Sequence, residues 1–170
     1  KVSPEEHFKV YRDFNGKQFA QFSDHLAHNT RYLEIGCSFG GVLKRVADFG
    51  VAICHGIEPN EEDVQFVQKL CPGSKVFNSV VEDLELDSEY YDVVTSFEVL
   101  EHMVSPSSIL KKVAGVMKKN GLINIEVPNH KDLLLSCYKN ISYEGGKQMA
   151  TNPWESGNNS GGMSMSMTMT

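Results

Sequence analysis

No two cysteines in this chain stand at CxxC spacing, no block of Lys and Arg occurs, and no apolar run reaches the roughly 18 residues that a membrane span needs. Each absence removes a class of function. Widely spaced Cys37, Cys54, Cys71 and Cys137 suit neither a zinc site nor a disulfide framework, so no metal is expected and a reducing cytoplasm is the default. A net charge of −6 without a basic stripe argues against a nucleic-acid partner. No signal peptide is recognisable, so neither export nor a membrane is expected. The G-x-G-x-x-G fingerprint of nicotinamide sites is missing too.

What is present is ordinary for a globular domain. The 170 residues are 41% hydrophobic and 22% charged, enough to bury one core without disulfides. From Arg31 onward, short apolar runs alternate with helical periodicity. Strands are expected at Arg31–Gly36, Val51–Ile57, Lys75–Phe77, Tyr91–Phe97 and Leu122–Val127. Between them, Val42, Leu43, Val46 and Ala47 follow helical spacing and close at Gly50. Asn60 is placed to cap a helix with the stripe Val64, Val67 and Leu70, and Pro106 to open one with Ile109, Leu110, Val113 and Met117. Strands alternating with helices imply βαβ units, hence an α/β, doubly wound, Rossmann-like and mostly parallel sheet. Residues 1–28 form a helical cap, with helices expected over 4–27 and a break near Asn15-Gly16. The core is expected over 29–143, and 144–170 reads as a low-complexity, disordered tail.

The chemistry concentrates at strand ends. Glu34-Ile35-Gly36-Cys37-Ser38-Phe39-Gly40-Gly41 lies at a strand-to-helix turn, where glycine lets backbone approach a ligand and the helix start offers free N–H groups. Taken alone, a tight turn needs glycine for structure just as much. Cys37 there is either a small turn-filling residue or a reactive thiol. Glu58, ending the second strand before Pro59, suits either ribose hydroxyls or a solvated loop acid. Val81 and Glu82 follow the third strand, where a base would lie. His102, in Ser96-Phe97-Glu98-Val99-Leu100-Glu101-His102, is a candidate general base or a loop brace.

In this order the segments resemble class I S-adenosylmethionine-dependent methyltransferases, in the branch with a G-C-x-x-G-G turn and an E-V-L-E-H segment. The resemblance runs over about Tyr11 to Tyr143 and includes Gly-Ile-Glu-Pro-Asn and Gly-Leu-Ile-Asn-Ile-Glu-Val-Pro-Asn. It implies S-adenosylmethionine as cofactor, bound at Glu34, Gly36, Cys37, Ser38 and Gly40, with Glu34, Gly36 and Gly40 on the methionine end. It implies ribose at Glu58 and Pro59, adenine between Val81 and Glu82, and Phe97 bordering the cofactor. His102 is the catalytic candidate by its place after the fourth strand, with the loop brace still open. The resemblance implies a small-molecule acceptor of sugar or metabolite type, held by the N-terminal helices and by Asn129, His130 and beyond.

Such proteins continue past the fifth strand with a helix and an antiparallel hairpin. Here loop-like sequence follows Tyr143, so the hairpin is expected to be lacking. A truncated piece, a divergent end, and a cofactor-binding domain without catalysis all remain open. The closing Met-Ser-Met-Ser-Met-Thr-Met-Thr admits a period-two edge strand or a Cu(I) thioether site, and a nonspecific tail is preferred.

Overall fold

A computed structural model describes residues 3–128 and, in backbone only, 162–168. The elements are α1 (Pro4–Val10), α2 (Arg12–Ala20), β1 (Arg31–Ile35), α3 (Gly41–Phe49), β2 (Ile53–Ile57), α4 (Glu61–Leu70), β3 (Lys75–Phe77), β4 (Tyr91–Phe97), α5 (Pro106–Val116), β5 (Met117–Pro128) and β6 (Gly162–Thr168). Short 3₁₀ turns follow α2 at Ser23–His25 and β4 at Leu100–His102. One sheet has the order β3-β2-β1-β4-β5-β6; its first five strands are parallel, and β6 runs antiparallel to β5.

The strands part the core into two layers by alternation. Tyr32, Val93 and Phe97 face one layer with Phe22, Leu43, Val46, Val64 and Val67 from the helices α3 and α4 and the N-terminal segment. Leu33, Ile35, Val94, Ile123 and Ile125 face the other with Ile109 and Val113 of α5. Helices on both faces leave the carboxyl ends of β1, β2, β4 and β5 along one edge, the place where doubly wound sheets bind ligands.

Local chemistry explains the element boundaries. Ser3 and Glu6 form a reciprocal capping box ahead of Pro4. The Asn60 side chain accepts from the Glu62 amide to start α4, and Gly50, at φ 99°, ends α3 as expected. Three expectations change. The N-terminal helices break at Tyr11, not at Asn15-Gly16. Those two lie inside α2 because they let α2 and α3 come close: a Cβ on Gly41 would stand 2.1 Å from Asn15 Oδ1, and one on Gly16 3.1 Å from Arg45 Nη2. Strand β5 starts at Met117 instead of Leu122. Its register against β4 shifts between Tyr91 and Val93, and Asn120, at φ 64°, absorbs the irregularity. Within the expected tail, 162–168 is a strand: the period-two alternation pairs with β5 from Leu122↔Thr168 to Pro128↔Gly162. The N-terminal segment consists of α1, α2 and the first 3₁₀ turn.

Candidate functional site

The strand-to-helix turn after β1 is tied to the neighbouring strand end. Gly36, Ser38 and Gly40 take φ of 72°, 44° and 74°, the left-handed region that favours glycine. The Gly36 and Cys37 amides both donate to the Ile57 carbonyl, at 2.9 and 3.1 Å. A Cβ on Gly36 would meet Val99 Cγ2 at 2.3 Å, so this glycine brings the turn against the segment leaving β4. Cys37 is buried, and burial first, then the charges of Glu34 and Glu58, push its thiol well above its usual value. Its sulfur fills the space over Gly56, where a Cβ would stand 2.7 Å away. Burial and this packing favour the turn-filling alternative for Cys37.

Glu58 braces the turn from the end of β2. Its Oε2 accepts from the Ser38 amide at 2.9 Å and its Oε1 from the Asn60 amide at 2.8 Å. Burial raises its carboxyl above the usual range, and those two amides work in the opposite direction. A carboxylate offers about four lone-pair sites, so acceptor capacity remains on both oxygens. Asn78, which the sequence did not single out, donates to the carbonyls of Glu58 and Pro59 at 3.1 and 2.9 Å. Glu34 is buried within the same edge. Burial holds its carboxyl well above the usual range, the backbone of Leu43 pulls the other way, and the charge of Glu58 adds to the rise.

The other candidates lie along the same strand ends. Val81 is buried after β3, while Glu82 is exposed and its carbonyl accepts from Lys112 Nζ at 2.6 Å, tying this loop to α5. Phe97 is buried at the end of β4 with its ring 6.2 Å from that of Phe22, on the α3 side of the sheet. Its neighbour Glu98, at φ 55°, donates its amide to the Glu126 carbonyl at 2.9 Å and so joins the ends of β4 and β5. His102 is 77% exposed, with Nε2 3.8 Å from Glu101 Oε1. Asn129 and His130 lie outside the described residues.

A buried polar group under α2 was not foreseen. Gln18 and Gln21 donate to the two oxygens of Glu126 at 3.0 and 2.8 Å, and Asn124 donates to Gln21 at 3.0 Å. Its signal in the sequence is Ile-Asn-Ile-Glu-Val, in which Asn124 and Glu126 interrupt an apolar strand on one face.

S-adenosylmethionine, which the resemblance implies, brings a sulfonium and an ammonium to such an edge. The residues present fit it. Glu34 Oε2 and Asn15 Oδ1 are buried acceptors without a donor among the described residues, the kind of atom that a bound cation satisfies. Among the described residues, the ion pairs are Lys9–Glu5, Lys44–Asp48, His102–Glu101 and Lys118–Asp92, and none neutralises Glu34 or Glu58.

Known proteins resemble this chain in sequence and in fold. A ubiquinone biosynthesis O-methyltransferase of Photobacterium profundum is 31% identical over 124 residues, covering 69% of this chain and 52% of the relative. Its counterpart in a Shewanella species is 34% identical over 98 residues, covering 55% of this chain and 41% of the relative. The chain thus spans about half the length of the curated relatives it matches. An S-adenosylmethionine-dependent methyltransferase from Mesorhizobium loti superimposes with a TM-score of 0.58 at 16% identity, over 64% of this chain and 52% of that one. Coclaurine N-methyltransferase, solved with N-methylheliamine and SAH, gives 0.61 at 18%, over 69% and 37%. These structural likenesses establish the fold. The model of the methyltransferase domain matches residues 8–166, and this chain belongs to that family.

Proposed function

We propose that the domain holds S-adenosylmethionine along the carboxyl edge of β1, β2 and β4 and that the protein transfers its methyl group to a hydroxyl oxygen of a small molecule. One observation carries this reading: Glu58 is buried and locked by the Ser38 and Asn60 amides, which presents its remaining lone pairs beside the glycine turn. Two vicinal hydroxyls suit that acceptor. The names of the curated relatives favour oxygen on a quinone precursor over the sugar that the sequence alone suggested.

The cofactor supplies a methyl already activated by the sulfonium, so the protein's task is alignment and exclusion of water. Glu34 and the α3 N-terminus orient the methionine end, Glu58 and Pro59 the ribose, and Val81 with Glu82 the base. Phe97 walls the edge near the sulfur. An acceptor hydroxyl must lose its proton as the oxygen–carbon bond forms and the carbon–sulfur bond breaks. His102, exposed in the 3₁₀ turn beyond β4, takes that proton on its imidazole.

Titration calorimetry with S-adenosylhomocysteine and with NAD tests the cofactor; binding of NAD alone would overturn it. Transfer of labelled methyl to a panel of phenols, catechols and sugars tests the acceptor. His102→Ala is expected to lower turnover by about 10² to 10⁴ with cofactor affinity unchanged. Turnover within about threefold of the parent would make His102 a loop brace. Cofactor binding without transfer to any acceptor would support the cofactor-binding domain without catalysis.

A further inference from the structure

The acceptor pair at the start of α3 has a second member from α2, and hydrogen-bond logic fixes which way it points. Glu126 is 6% exposed, and a carboxylate only accepts. Gln18 must therefore turn its Nε2 to Glu126 Oε1, at 3.0 Å. That leaves Gln18 Oε1 to accept from Asn15 Nδ2, at 3.2 Å. Asn15, 8% exposed, is then compelled to aim its carbonyl oxygen away from Gln18, over Gly41, where it finds no donor among the described residues. Glu34 Oε2 is in the same condition, with its carboxyl tied to Leu43 two residues further along the first turn of α3.

Two buried acceptors without donors among the described residues flank one helix start. Leaving each unmet costs the free energy of its desolvation, so a donor-rich group is the partner both require. We infer that Asn15 Oδ1, together with Glu34, receives the ammonium of the cofactor's methionine end, and that Gln18 and Glu126 are positioning residues that set the polarity of Asn15. This rests on the cofactor reading above. An ammonium has three donors and no acceptor, which suits a carbonyl and a carboxylate, whereas a carboxylate at the same place would be repelled. Helix α2 thereby becomes part of the ligand site and not only its cover.

The test compares three probes on the full chain by calorimetry: S-adenosylhomocysteine, its analogue with hydrogen in place of the amino group, and 5′-methylthioadenosine, which lacks the amino-acid end. The parent should bind S-adenosylhomocysteine at least about tenfold more tightly than the deaminated analogue, as expected for charged hydrogen bonds. Asn15→Leu should lose about tenfold for S-adenosylhomocysteine and stay within about twofold for 5′-methylthioadenosine. Gln18→Met should show the same selective loss, because an unguided Asn15 amide can turn its NH₂ to the ammonium. An equal loss for both probes would make Asn15 a packing residue and overturn the inference, as would no loss. If Asn15→Leu does not fold, the parent decides: equal binding of the deaminated analogue overturns it. A parent that binds neither S-adenosylhomocysteine nor 5′-methylthioadenosine would take the cofactor reading down with it, whereas normal binding of both by Asn15→Leu removes this inference alone.

Discussion

Glu58 carries two duties that a substitution cannot separate cleanly. Its oxygens hold the Ser38 and Asn60 amides, and its spare lone pairs face the proposed ribose. Glu58→Ala should weaken S-adenosylhomocysteine by about 1.5–3 kcal/mol, read by calorimetry, with the far-UV spectrum unchanged. A loss below about tenfold in a folded variant would remove the ribose assignment. Glu34 makes a different prediction because its carboxyl is raised by burial. The native chain then keeps a proton at pH values where the unfolded chain has released it. The contribution to stability is complete below the usual value of 4.5 and is lost as pH rises from there through the folded value. Glu34→Gln removes that slope. Without ligand, the variant should melt higher than the parent at pH 8, with the gap closing toward pH 4, while its affinity for S-adenosylhomocysteine falls. Identical melting curves at both pH values would show that Glu34 is not strained by burial. Both carboxylates were legible in the sequence because each stands at a strand end beside a turn signal. Asn15 and Gln18 were not, since their role depends on a carboxylate in β5 far along the chain.

At the level of elements, glycines of the same backbone class should respond differently. Gly40 and Gly50 cap the two ends of α3 at φ 74° and 99°. A Cβ on Gly40 would meet both methyls of Val67 at 2.8 and 2.9 Å, whereas one on Gly50 would meet nothing within 4 Å. Gly50→Ala should cost about 1–2 kcal/mol, the left-handed penalty alone. Gly40→Ala should exceed it by about 1–3 kcal/mol of overpacking in urea unfolding. Equal costs would mean that α4 shifts freely away from α3. The same pair shows where sequence reading succeeds. Residues 31–70 form strand, turn, helix, strand and helix, each marked by its own Gly or Asn, and were read to within about two residues. Helix α2 defeated the method because its buried residues are Asn15 and Gln18, so apolar periodicity has nothing to detect. The early start of β5 was hidden for a related reason: Lys118, Lys119 and Asn120 are polar, and only pairing with β4 extends the strand through them.

For the molecule as a whole, β6 decides how the sheet ends. It pairs with β5 over seven residues, from Gly162 to Thr168. Deleting 157–170 would strip that partner from Leu122, Ile123, Ile125 and Val127, four buried positions of β5. The melting temperature should fall by at least about 4 °C, corresponding to 1–2 kcal/mol at this size. An unchanged melting temperature would return the tail to the dispensable role that its composition suggests. The alternation of Met with Ser and Thr admits an edge strand, yet composition favours a nonspecific tail, and the partner that decides between them lies far back in the chain.

That separation bears on the order of assembly. The pairs among β1, β2 and β3 close over short stretches of chain, and the turn with Glu34 and Glu58 is complete once residues 31–60 have met. β6 pairs with β5 across a wide separation in sequence, at an entropic cost that local pairs do not carry. In a chain emerging from the ribosome, β1 to β5 therefore come together first, and the outer edge of β5 stays open until β6 follows. During that interval the edge is a template for strands of other chains. Ligand present in the cell reaches a site that is already formed, and it stabilises the nascent domain through the period in which aggregation competes with closure.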